Sequence, residues 1–147
     1  MKTILILGAG LSSSSLVRYL LNNSTEFNWQ VRIVDRDLEL VKKKINGNPN
    51  GVALSFNALL PEERRPEIEK ADIVISMLPA RFHIDVAKDC IALKTNLITP
   101  SYISPEMKEL DEEAKKAGII IMNEIGVDPG IDHMSAMKII HEIKAKG

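Results

Sequence analysis

"ILILGAGLSSSSL", residues 4–16, decides how this chain folds. An apolar run ends on Gly8, and Gly8-Ala9-Gly10-Leu11-Ser12-Ser13 then spells G-x-G-x-x-S. Such a run is the pattern of a strand buried on both faces of a parallel sheet. A strand, a glycine loop and then a helix form the arrangement that cradles a dinucleotide pyrophosphate. Gly8 permits the tight turn, and Gly10 lets backbone come close to the pyrophosphate. The helix start adds unpaired N–H groups and the positive end of its dipole. The third glycine of this pattern packs the first helix on the first strand, and Ser13 stands there instead. Serine costs some closeness but no anion binding, so the loop is expected to hold a nucleotide. Hydroxyls from Ser12–Ser15 are available to phosphate, although Ser14 and Ser15 read as plain helix surface.

Working outward, "QVRIVD" (residues 30–35) is a second strand that ends on Asp35. A carboxylate there accepts hydrogen bonds from ribose hydroxyls and repels a 2′-phosphate, which favours NAD. Arg36 follows, and a guanidinium there serves a 2′-phosphate, which favours NADP. The pair leaves NAD or NADP open, with a lean to NAD. Asp35-Arg36-Asp37 reads equally as a helix cap with a charged first turn, and both roles are compatible.

The rest of the chain alternates. After the loop, Leu11–Leu21 has helical spacing, with Leu11 on the apolar face. Arg36–Ile45 is a helix closed by "NGNPNG", and Val52–Phe56 a third strand. Pro61–Lys70 reads as helix, "ADIVISMLP" (71–79) as strand, Phe82–Leu93 as helix and Asn96–Thr99 as strand. Ser104–Lys116 reads as one amphipathic helix, with Ser104 as N-cap, Pro105 first and Gly118 as C-cap. Ile119–Asn123 is a sixth strand, and Gly130–Lys144 a last helix with Met134, Met137, Ile140 and Ile143 near one face. This β-α alternation predicts an α/β, Rossmann-type doubly wound parallel sheet of six strands with helices on both faces.

Size and charge agree with one such domain over residues 1–147. The chain is 45% hydrophobic with a net charge of −1, which implies no pull toward nucleic acid or membranes. Lys42-Lys43-Lys44 is the largest basic run and reads as a solvated helix face. Cys90 is a lone cysteine and excludes a disulfide within the chain. No signal peptide and no run of membrane-spanning length is present, so a soluble, cytoplasmic protein is expected.

Ligands of such sheets bind at the carboxyl ends of the strands. Met77-Leu78-Pro79-Ala80 follows the fourth strand, and "TPSYIS" (99–104) follows the fifth. After the sixth, "NEIGVDPGIDH" (123–133) gathers Glu124, Asp128, Asp132 and His133 around a Pro-Gly turn. Asp-Pro-Gly is a turn and helix-start signal, but carboxylates beside an imidazole are also what proton transfer needs. No metal-ligand spacing accompanies them, and no metal is expected.

"SYISPEMKELDEEAKKAGIIIMNEIGVDPGIDHMSAMKII" (101–140) resembles the core of the saccharopine dehydrogenase family, nearest its glutamate-forming saccharopine reductases. "VISMLPARFH" (74–83) and the glycine loop without a third glycine fit as well, so the likeness spans nearly the whole chain. The string E-x-G-x-D-P-G-x-D-H, Glu124–His133, is its most specific part. The resemblance implies hydride transfer between NAD(P)(H) and a C–N bond, an imine or secondary amine, of an amino-acid substrate in lysine metabolism. By the same likeness Gly8, Gly10, Leu11 and Ser12 hold the pyrophosphate and Asp35 and Arg36 the adenosine ribose. Leu78 and Pro79 line the nicotinamide side. Ser101, Tyr102 and Asp128 face the substrate, with Asp128 or Tyr102 handling a proton, while His133 fixes the helix start.

Two departures stand out. Reductases of this type commonly prefer NADP, with which Asp35 disagrees. The family also carries a further domain for substrate and homodimer contacts, so a fragment lacking turnover is expected. A free-standing nucleotide-sensing module is the alternative, and Tyr102 with "GVDPGIDH" counts against it. A methyltransferase would end its sheet in an antiparallel hairpin, for which there is no signal. A lysine 6-dehydrogenase or a polyamine-forming relative stays open within the family.

Overall fold

β1 (Lys2–Leu7) is apolar on consecutive residues because both of its faces are covered. Leu5 and Leu7 face one core, Ile4 and Ile6 the other. The computed structural model describes all 147 residues. It contains β1, β2 (Trp29–Asp35), β3 (Gly51–Ser55), β4 (Ile73–Ser76), β5 (Asn96–Ile98) and β6 (Ile121–Met122). Every pairing is parallel, and the strand order is β3-β2-β1-β4-β5-β6. The sheet is therefore the doubly wound one that the alternation requires.

Seven helices cover it: α1 (Ser14–Asn22), α2 (Leu38–Ile45), α3 (Pro61–Ile68), α4 (His83–Leu93), α5 (Pro105–Glu109), α6 (Asp111–Ala117) and α7 (Ile131–Lys146). α1 and α2 lay Val17, Leu20, Leu21, Val41 and Ile45 on Ile4, Ile6, Val31 and Ile33. On the opposite face, α3, α4, α5 and α6 bring Ile68, Val86, Cys90, Met107 and Ala114 onto Leu5, Leu7, Val74 and Leu97. Each Val, Leu, Ile or Met side chain so buried stabilises the fold by about 1.5–3 kcal/mol, and the smaller Cys90 and Ala114 by less. No helix is long and apolar enough to cross a membrane.

Local signals set the helix ends. Asp37 caps α2 by accepting the Leu40 N–H at 3.0 Å, and Ser104 caps α5 by accepting the Met107 N–H at 3.2 Å. Gly118 closes α6 at φ +73°.

Several expectations are corrected. The first helix begins as a 3-10 turn over Leu11–Ser13, which leaves Leu11 97% exposed and not in the core. Ser104–Lys116 is two helices, α5 and α6, because a tight turn at Leu110 directs both Met107 and Leu110 into the core. β6 is two residues long, matched to its single neighbour β5. The apolar stripe of α7 is present but covered by nothing: none of its residues is buried, and Met134, Met137, Ile140 and Ile143 are exposed.

Cys90 is buried in α4, and burial pushes its thiol up to about 12, a packing residue as expected. Beside it lies a buried ion pair. Arg64 Nε donates to Asp89 Oδ2 at 2.6 Å, both residues being nearly inaccessible, and Arg65 Nε donates to Asp89 Oδ1 at 2.6 Å. Removing the carboxylate strands the guanidinium. Asp89→Ala is expected to destabilise the chain by about 3–5 kcal/mol, read from urea unfolding; an unchanged midpoint would refute the pair's role in joining α3 to α4.

Candidate functional site

Beyond β1 the connection turns toward β2, and beyond β4 it turns the other way, so a crevice opens between the carboxyl ends of β1 and β4. Gly8 forms its floor. Its φ is +101°, and a Cβ there would lie 3.1 Å from the Met77 carbonyl oxygen. Gly10 is different: a Cβ on it would meet nothing within 4 Å. Its outer side is an open cradle at the start of a helix, where the first N–H groups lack intrahelical partners. The residues present thus fit a dinucleotide pyrophosphate by shape and by polarity. Leu11 and Ser12 lie exposed beside this cradle.

The end of β2 closes against the loop. Asp35 Oδ2 accepts the Ala9 N–H at 2.8 Å, and its Oδ1 accepts the Asp37 N–H at 3.2 Å. Arg36 donates from its guanidinium to Asn57 Oδ1 at 2.9 Å. Asp35, Arg36, Asn57, Leu78 and Pro79 border one cleft, so Leu78 and Pro79 stand across from the end of β2.

Lys44 corrects the expectation of a purely solvated lysine face. Its Nζ donates to the Gly10 carbonyl at 2.6 Å, to Ser14 Oγ at 2.7 Å and to Ser13 Oγ at 3.1 Å. Burial lowers its pKa, and the Asp35 carboxylate opposes that shift. Ser13 is itself fully buried and donates its hydroxyl to the Gly10 carbonyl at 2.8 Å. Ser14 is therefore not plain surface. Neither partner of this contact signals the other in the sequence, being about thirty positions apart.

The loops after β5 and β6 meet each other. The Glu124 N–H donates to the Ser101 carbonyl at 3.0 Å, and Glu124 Oε1 accepts the Ile103 N–H at 3.1 Å. Glu124 is thus occupied as a brace between the loops. Tyr102 and Asp128 form a pair, the phenol donating to Asp128 Oδ1 at 2.5 Å, in the open. That hydrogen bond, with burial and the neighbouring carboxylates adding to it, pushes the Tyr102 phenol up to about 12. Ser101 Oγ is not free, because it meets His83 Nε2 at 2.9 Å. The other ring nitrogen, His83 Nδ1, meets Ser76 Oγ at 2.9 Å. His83 therefore bridges the end of β4 to the loop that carries Tyr102. It was not singled out from the sequence, where a helix-start histidine carries no signal of its own.

Asp132 Oδ1 accepts the Gly130 N–H at 3.0 Å and meets His133 Nδ1 at 2.8 Å, which places both at the start of α7. Asp128, Asp132 and His133 offer ligand atoms within 4.8 Å of one another, all exposed. The Gly126–Gly130 turn beneath them is tight, since a Cβ on Gly130 would lie 2.2 Å from the Gly126 carbonyl oxygen.

Comparison with known proteins matches residues 4–122 to the saccharopine dehydrogenase NADP binding domain. The NADP(+), L-glutamate-forming saccharopine dehydrogenase of Pyricularia oryzae is 41% identical over 146 residues, which are 99% of this chain and 32% of that protein. The mitochondrial alpha-aminoadipic semialdehyde synthase of Bos taurus is 40% identical over 147 residues, 99% of this chain and 15% of that protein. Among solved structures, the apo saccharopine dehydrogenase (L-Glu forming) of Saccharomyces cerevisiae superposes with a TM-score of 0.86 at 36% identity, over 99% of this chain and 32% of that one. The chain thus spans a third or less of the length of these relatives.

The His83 bridge has a consequence for stability. Burial lowers the His83 pKa from 6.5, so the unfolded chain takes up a proton before the folded one does. Stability is full above that value and falls as the pH drops through it. Between pH 7 and pH 5 the melting temperature of the wild type is expected to fall more than that of His83→Gln, by thermal unfolding followed with circular dichroism. Parallel pH profiles would show that the ring titrates without strain.

Proposed function

We propose that this chain, which belongs to the saccharopine dehydrogenase family and matches the family's dinucleotide-binding domain, serves an oxidoreductase acting on a C–N bond of an amino acid in lysine metabolism. The observation that carries this is the open cradle at Gly10, set at the switch point with Asp35 and Arg36 on one side and the Tyr102–Asp128 pair at the neighbouring strand ends. A bound nicotinamide would supply or accept the hydride at the carbon of the C–N bond, while the nitrogen gains or loses a proton.

The chain's own residues divide the remaining work. Gly8, Gly10, Leu11 and Ser12 present backbone to the pyrophosphate. Asp35 takes the ribose hydroxyls, and Leu78 and Pro79 wall the same cleft. At neutral pH Tyr102 keeps its proton, as any phenol does, and its hydrogen bond to Asp128 holds that proton more firmly still. It therefore acts as a hydrogen-bond donor that orients Asp128, not as a base. The Asp128 carboxylate then faces the cationic nitrogen of an iminium or ammonium and handles its proton. A sensing module would have no use for this pair.

The cofactor form follows from charge. Asp35 is fastened to the glycine loop, so its carboxylate cannot swing away from a 2′-phosphate. NAD(H) is preferred over NADP(H) on this account, with Arg36 partly offsetting the repulsion.

Two measurements test these assignments. In calorimetry the wild-type chain is expected to bind NADH about tenfold tighter than NADPH, and Asp35→Asn, which can still accept the Ala9 N–H, to erase that gap. A wild type that favours NADPH would give the site to Arg36. In the full-length protein, Asp128→Asn is expected to lower turnover by about a hundredfold with dinucleotide affinity unchanged. Turnover equal to wild type would remove Asp128 from the chemistry.

A further inference from the structure

The glycine loop is held from two sides by opposite charges. Asp35 draws the Ala9 N–H toward β2, and Lys44 draws the Gly10 carbonyl toward α2. That carbonyl accepts from three donors: the Ser13 N–H at 3.1 Å, the Ser13 hydroxyl at 2.8 Å and the Lys44 ammonium at 2.6 Å. Gly10 C=O and Leu11 N–H belong to one peptide group, which is planar and trans, so the two point in opposite directions. Fixing the carbonyl on Lys44 therefore aims the Leu11 N–H away from α2. Lys44 has its three N–H donors engaged by Gly10, Ser13 and Ser14, which leaves it no free donor for a ligand.

We propose that Lys44 is a positioning residue of the dinucleotide site: through the Gly10 carbonyl it aims the Leu11 N–H at the pyrophosphate, and it works as a unit with Ser13. The serine at the third loop position is then more than a tolerated substitute for glycine. Its hydroxyl is a hydrogen-bonded link between the carbonyl and the ammonium, which a glycine could not supply. This assignment rests on the dinucleotide site proposed above.

The test uses the 147-residue chain and two probes, NADH and adenosine, which lacks the pyrophosphate. Lys44→Met is expected to weaken NADH about tenfold and leave adenosine unchanged, since the three hydrogen bonds from the ammonium are lost at the glycine loop and the helix start behind it alone. By NMR, the Leu11 amide proton of the wild type is expected to move downfield on NADH binding, and most of that shift to vanish in Lys44→Met. Ser13→Ala removes only the shared hydroxyl and serves if Lys44→Met folds poorly. It is expected to weaken NADH by a smaller factor and to abolish part of the effect of Lys44→Met when the two are combined. NADH bound equally by wild type and both variants, or NADH and adenosine weakened alike, would overturn the assignment while leaving the site standing. A folded wild type that binds neither NADH nor NADPH would overturn the site and the assignment together.

Discussion

The chain must leave β1 through a turn that no side chain can enter. Gly8 takes φ +101°, and a Cβ on it would press on the Met77 carbonyl at the end of β4. β1 is paired with β2 on one side and β4 on the other, so the exit has no room to shift sideways. The rest of the cofactor side follows from this turn. It brings Ala9 within reach of Asp35, sets Gly10 at the start of a helix, and leaves the crevice between β1 and β4 clear.

Around that turn the loops hold one another by specific polar contacts. Asp35 and Lys44 pin the glycine loop from β2 and α2. Arg36 reaches across to Asn57 beyond β3. His83 joins Ser76 to Ser101, and Glu124 joins the loop after β6 to the one after β5. Apart from the Lys44 contact, which comes from the last turn of α2, each crosses from one strand's exit to its neighbour's. Groups held this way beforehand would lose little freedom on meeting a ligand. The Tyr102–Asp128 pair stands outside this lattice, exposed and facing away from the core.

Unlike the other helices, α7 has an apolar stripe that lies on nothing in this chain. Periodicity identifies a face, but the partner of that face is a property of three-dimensional placement. The same distinction explains Leu11, which shares the helical spacing of Leu20 and Leu21 yet stays in solvent because the helix opens with a 3-10 turn.

The sequence by itself determined the fold and pointed to a candidate site. Apolar runs, glycine turns and caps at Asp37, Ser104 and Gly118 are local signals, each decided within a few residues, and their alternation implies a parallel sheet covered by helices. The glycine loop and the string from Glu124 to His133 were legible for the same reason. Only the tertiary structure decided which groups meet. Lys44 reaches Ser13 and Ser14, His83 links Ser76 to Ser101, and Glu124 turns from a candidate acid into a brace. Those contacts join residues far apart in the chain, and their distances exist only once the strands are side by side.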